Sequence, residues 1–94
     1  MEERKMEQRM CPVDVISVCN ADGEIRPLRL RVEKGAGESV RIDITDILKI
    51  TEISYVGVEA HVFLCQAKMY GREMLFELKY TFRSHSWTLL RRIC

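Results

Sequence analysis

The sequence lacks the features that mark membrane-spanning, secreted and disulfide-bonded proteins. None of its apolar runs approaches the roughly 20 residues that a membrane-spanning helix requires. The charged start, Met1-Glu2-Glu3-Arg4-Lys5, is not followed by the apolar stretch of a secretory signal. The four cysteines show no paired spacing, so we expect reduced thiols and a cytoplasmic location.

An excess of charge of one sign is also absent. The chain has 15 basic and 14 acidic residues and a net charge of +1, so no overall field draws it to nucleic acid or to a membrane surface. Its 94 residues predict one domain. Residues 1–10 are mostly charged or amide-bearing and predict a flexible charged segment, followed by a single small β-barrel domain over residues 11–94. Met6 and Met10 would share one face if that segment became helical by packing on the domain or on a neighbouring molecule.

The clearest pattern in the chain is an apolar alternation over residues 74–82. The even positions of this stretch are all large and apolar: Met74, Phe76, Leu78, Tyr80 and Phe82. A period of two predicts a strand with one face on a core and the other in water. Arg83-Ser84-His85-Ser86 then predicts a turn, after which Trp87 and Leu89 resume the apolar face.

Further strands are predicted on both sides of short turns. Residues 13–18 are rich in β-branched side chains, and Asn20-Ala21-Asp22-Gly23 is a hairpin signal. Residues 28–33 and 40–45 alternate on either side of a glycine-containing loop, and their pairing would offer Asp43 as a cross-strand partner for Arg29 and Arg31.

Two more stretches complete the predicted sheet. Residues 46–56 suit neither period well, and we interpret them as a bent or bulged strand rather than a single helical turn begun by Asp46. The nearly continuous apolar run over residues 60–70 predicts a central strand.

These patterns predict an all-β fold: a small antiparallel curled sheet or SH3-like barrel of about five to six strands with little helix. Phe76-Glu77-Leu78-Lys79-Tyr80, followed by Trp87-Thr88-Leu89, resembles the closing hairpin of small uncharacterised all-β proteins of bacteria with an SH3-like or Sm-like barrel. The resemblance covers that hairpin alone and implies a fold, with no activity attached.

Residue types that could hold a metal or act as a nucleophile are present without the spacing that such chemistry needs. Structural zinc usually takes cysteine pairs two to four residues apart, and the sequence has none. Cys65 lies in an apolar run, where desolvation makes a thiol inert, and Cys19 has no identified base. We therefore expect no metal, no cofactor and no catalytic residue, although loops can assemble a site that a sequence does not reveal.

The arginines carry the strongest functional signal. Arg29, Arg31 and Arg41 should share one region of the sheet, and together with Trp87 they are the candidate contact residues, chosen for predicted exposure and chemistry. The sequence predicts a non-catalytic interaction module that binds a protein partner, or a second copy as a homodimer, through a sheet edge or barrel rim. The alternative is an accessory domain that binds nucleic acid with the same arginines.

Overall fold

The computed structural model describes residues 11–35, 37–55 and 57–92. Within these ranges every regular element is a strand: β1 (Cys11–Pro12), β2 (Asp14–Cys19), β3 (Ile25–Gly35), β4 (Glu38–Tyr55), β5 (Val58–Met69), β6 (Arg72–Thr81) and β7 (Ser86–Arg92). They form one seven-stranded sheet in the order β1-β7-β6-β5-β4-β3-β2, and every neighbouring pair is antiparallel. The all-β prediction is confirmed. The prediction for residues 1–10 lies outside the described residues.

The sheet curls so that its two edge strands, β1 and β2, are consecutive in the chain. β1 pairs with β7 and β2 pairs with β3, although only Val13 separates β1 from β2. The amide of Val13 also donates to the carbonyl oxygen of Trp87 at 3.3 Å. The predicted strand count of about five to six was too low, partly because the amino-terminal strand is divided at Val13 between two neighbours.

The inner face of the curled sheet forms the core. The predicted alternation in β6 is confirmed, since Phe76, Leu78 and Tyr80 are buried while Glu77 and Lys79 between them remain partly exposed. β5 takes the central place in the strand order, as predicted. The buried core cluster consists of Leu30, Ile42, Phe63, Cys65, Ala67, Phe76, Leu78, Tyr80 and Trp87.

Trp87 belongs to this core, and its predicted exposure was wrong. Its side chain is 8% exposed, and it lies directly opposite Tyr80 in the β6–β7 register. Opposed residues of an antiparallel pair point to the same face, so the inward Tyr80 carries Trp87 inward with it. The ring centroids of Trp87 lie 4.9 Å from Tyr80 and 5.6 Å from Phe63.

The ambiguous stretch after Asp46 is a strand with bulges. β4 continues through Tyr55, and its register with β5 shifts between Ile44 and Asp46 and again between Ile47 and Lys49. The bulged-strand interpretation is therefore confirmed for residues 46–55. The described ranges contain no helix with the length and hydropathy needed to cross a membrane.

Candidate binding groove and arginine face

β4 leaves its neighbour β3 partway along its length. The described pairs between these strands run from Gly35 opposite Glu38 to Arg29 opposite Asp43. Beyond Asp43, residues 44–55 of β4 pair with β5 on one side, and no strand among the described residues pairs with their other side. This segment, which we call the open edge, presents backbone amides and carbonyls without a neighbouring strand.

The part of β3 that would otherwise lie opposite the open edge belongs to a projecting hairpin. Residues 25–27 of β3 pair with β2 and, in the described chain, not with β4. The Asn20 side chain stabilises the hairpin turn, because its Oδ1 accepts hydrogen bonds from the amides of Asp22 at 3.0 Å and Glu24 at 2.9 Å. We call residues 18–26 the hairpin tip.

A groove of about 570 Å³ lies between the hairpin tip and the outer part of the sheet. This volume is in the range of ligand pockets, roughly 300–1,000 Å³. Its lining combines the hairpin tip with β4, β5 and the residue that follows β6: Val18, Asn20, Gly23, Glu24, Ile25, Arg26, Ile50, Glu52, His61 and Phe82. The groove therefore has the open edge of β4 along one wall.

Apolar side chains in this groove are unusually accessible. Ile50 is 50% exposed and Val18 is 43% exposed. The Phe82 ring meets His61 edge to face, with centroids 4.9 Å apart and an interplanar angle of 88°. His61 Nε2 also lies 3.7 Å from Glu52 Oε2. The groove offers apolar contacts from both walls and charged groups near its rim.

The candidate arginines share the outer face of β3 and β4, but each lies beside an aspartate. Arg29 Nε donates to Asp43 Oδ1 at 2.7 Å, and Arg41 Nε lies 3.9 Å from the same oxygen. Arg31 Nη2 donates to Asp14 Oδ2 at 2.5 Å. The predicted pairing of Asp43 with Arg29 is confirmed, and the β3–β4 register that places them opposite each other is its cause.

These ion pairs are solvent-exposed, and the aspartates neutralise much of the positive charge of the arginines. The hydrogen bond to Asp14, and then its negative charge, raise the pKa of Arg31 above its ordinary value. The side chains of Arg29 and Arg41 are 43% and 66% exposed, so each pair is worth only about 0–1 kcal/mol of stability. The structure brings the three arginines together and separates them from Trp87, which lies inside the sheet.

The chemistry of the described thiols and carboxylates offers no metal site. Within residues 11–35, 37–55 and 57–92 there is no group of three or more histidine, cysteine, aspartate or glutamate side chains placed to hold a metal ion. Burial raises the pKa of the Cys65 thiol to about 12. A thiol in that environment stays protonated at neutral pH and is a poor nucleophile.

Sequence reasoning missed the groove and the open edge. The available signal was the stretch around Leu48 and Ile50, where the spacing of apolar residues departs from simple alternation. This irregularity predicts a bent or bulged strand, and it also marks the place where β4 loses one neighbour. Comparison with family models, with curated proteins and with solved structures gives no match for this chain.

Proposed function

We propose that this protein is a non-catalytic interaction module that binds an extended segment of a protein partner as an added strand on the open edge of β4. The observation that carries the proposal is the departure of β4 from β3 after Asp43, which leaves residues 44–55 paired on one side. An unpaired strand edge is a template for a further strand, because main-chain hydrogen bonds supply affinity without demanding a particular sequence.

The groove beside the open edge would supply the specificity. A guest strand has side chains that alternate between its two faces. One row would contact the exposed side chains of Val18 and Ile50 and the partly buried Phe82, and the other would face water. We therefore expect partner segments with apolar residues at every second position.

Charged residues on β4 are compatible with selective pairing. Asp46, Lys49 and Glu52 are exposed along the open edge, and charges on a strand edge discourage unselective association with other sheets. A partner strand would need to complement these charges, which makes a second copy of the chain a less suitable guest than a dedicated segment. Homodimerisation through the same edge is nevertheless a distinct outcome of the experiment below.

We also propose that the fold is an SH3-like barrel and that the protein acts in the cytoplasm. The junction at Val13, where β1 and β2 reach different neighbours, supports describing the curled sheet as an SH3-like barrel. Cys11, Cys19 and Cys65 are unpaired thiols, which suits a module acting in the reducing cytoplasm.

Nucleic acid is a weaker candidate for the partner. A phosphate approaching Arg29 or Arg31 would compete with Asp43 or Asp14 for the same guanidinium groups. Binding through phosphates would also weaken steeply with rising salt because counterions are released. Strand addition at an apolar groove would depend weakly on salt.

The proposal is tested by selecting ligands from a phage-displayed library of random linear nonapeptides against the intact chain. The expected result is enrichment of peptides with alternating apolar residues, and slower hydrogen exchange of backbone amides in residues 44–55 when a selected peptide is added. Peptides that protect amides elsewhere, or a library that yields no binder, would overturn the proposal.

Matched variants identify the surface that is used. Ile50→Lys places a charge in the groove, whereas Ile16→Lys makes the same change at a site on β2 outside the groove lining; the two wild-type side chains are 50% and 56% exposed. We expect Ile50→Lys to weaken the selected peptide at least about tenfold, equivalent to roughly 1.4 kcal/mol, and Ile16→Lys to leave it unchanged. Sedimentation of the peptide-free chain as a dimer that Ile50→Lys dissociates would instead assign the edge to self-association.

A further inference from the structure

A second concave site is formed by β2, β3 and the beginning of β4. Its volume is about 330 Å³, at the lower end of the range of ligand pockets. None of its lining residues belongs to the lining of the groove, so the two sites are separate. The lining consists of Asp14, Val15, Ile16, Arg29, Leu30, Arg31 and Arg41.

The strand register places two arginines of this site directly opposite each other. Arg31 of β3 is the Cα partner of Arg41 of β4, and opposed residues of an antiparallel pair point to the same face. Like charges in this arrangement are destabilising. Asp14 offsets the charge of Arg31 from the other side, because it is the Cα partner of Arg31 on β2 and accepts a hydrogen bond from it.

The charge of Arg41 is less well compensated. Asp43 Oδ1 lies 3.9 Å from Arg41 Nε, beyond hydrogen-bond distance, and already accepts a hydrogen bond from Arg29 Nε at 2.7 Å. In the described part of the chain, the three guanidinium groups of the site therefore share two contacting carboxylates. Glu33 does not line the site, and its charge is the weakest of the causes that raise the pKa of Arg31. The site has an excess of one positive charge, centred on Arg41.

The side of the site away from Arg41 is apolar. Ile16 of β2 is 56% exposed, and it is the Cα partner of Arg29. Val15 beside it is partly buried. Neighbouring strands lie about 4.7–4.9 Å apart, so β2 and β4 are separated by roughly 10 Å across β3. A ligand that spans this distance would meet a cation at one end and an apolar side chain at the other.

We propose that this site binds a small amphiphilic carboxylic acid, with its carboxylate on Arg41 and its apolar group on Ile16. A guanidinium can donate two parallel hydrogen bonds to a carboxylate, and one such anion would give each of the three arginines a carboxylate partner. A phosphate group carries about 1.5 to 2 negative charges at neutral pH, and Asp14 and Asp43 would repel the excess. The charge of the site therefore favours a single carboxylate over a phosphate.

The test is a titration of the intact chain with octanoate, followed through the amide chemical shifts in NMR spectra. Acetate supplies the charge alone, and octanol supplies the apolar chain alone. We expect saturable shifts at residues 14–16, 29–31 and 41, with an affinity for octanoate at least about tenfold higher than for acetate or octanol. An absence of saturable shifts, shifts located elsewhere, equal affinity for acetate or octanol, or tighter binding of inorganic phosphate would overturn the proposal.

Matched variants separate the two ends of the ligand. Arg41→Gln should lower the affinity for octanoate at least about fivefold, whereas Arg72→Gln makes the same change at an exposed arginine of β6 outside the lining and should have no effect. Ile16→Ser should reduce the affinity for octanoate to that for acetate. An affinity unchanged by Arg41→Gln would remove the basis of the proposal. Because the site and the groove share no lining residue, this proposal and the proposed function can fail independently.

Discussion

Substitution of Trp87 by alanine tests whether this residue is a part of the core or a surface contact. The side chain lies between Phe63 and Tyr80, with ring centroids 5.6 Å and 4.9 Å away, and only 8% of it is exposed. Removing the indole would leave a cavity in the centre of the aromatic cluster. The loss should therefore appear as reduced stability of the isolated protein.

The expected cost is a large share of the total stability. Truncation of a buried tryptophan to alanine costs about 3–5 kcal/mol. A domain of this size is stable by roughly 5–14 kcal/mol, at about 0.05–0.15 kcal/mol per residue. Trp87→Phe keeps an aromatic ring and loses less apolar area, so we expect a smaller cost of about 1 kcal/mol.

Urea unfolding followed by far-ultraviolet circular dichroism measures these differences, since the substitution removes the one tryptophan in the chain. Arg29→Ala is the comparison, because its ion pair is partly exposed and should contribute about 0–1 kcal/mol. A Trp87→Ala midpoint equal to that of wild type, with an unchanged denaturant slope, would refute the placement of Trp87 in the core.

Two further predictions concern a strained turn and a buried thiol. Tyr70 has a φ of 52° and precedes Gly71, whose φ is 76°. Because a turn with two positive φ values favours Asn-Gly, Tyr70→Asn should raise the unfolding free energy by about 0.5–1 kcal/mol. Urea unfolding measures this change, and a decrease would contradict the reasoning. Burial raises the pKa of Cys65 to about 12. Iodoacetamide at pH 8 should therefore alkylate the exposed Cys11 and Cys19 at least about tenfold faster than Cys65. Peptide mass spectrometry follows these rates, and equal rates would show that Cys65 is accessible.

The sequence was most informative where side-chain periodicity and packing agree. The alternation in residues 74–82 predicted the inward row of β6, because a sheet with one buried face imposes a period of two on its side chains. The Arg29–Asp43 pair was predictable for a related reason, since the loop between β3 and β4 is short and fixes which residues face each other.

The pattern after the turn predicted Trp87 on the apolar face, which its burial confirms, and only its selection as an exposed contact residue was wrong. The open edge was missed because it depends on relations between strands. The inward direction of Trp87 follows from its pairing with Tyr80 across the turn, which is set by the length and shape of residues 82–85. The number of neighbours that β4 has along its length is likewise a tertiary property. The irregular spacing of apolar residues in this stretch indicated a departure from simple pairing without showing which neighbour was lost.

The bulges in β4 offer a physical reason for the open edge. The extra residues are Thr45 and Leu48, and the first follows two positions after the last pair with β3. A bulge bends its strand and increases the local twist, so β4 turns to follow β5 while β3 continues into the projecting hairpin. Thr45 Oγ1 donates to the carbonyl oxygen of Gln66 at 3.0 Å, which ties the first bulge to β5. The same local irregularity therefore separates two strands and creates the groove between them, which is why the proposed binding surface lies at the least regular part of the sequence.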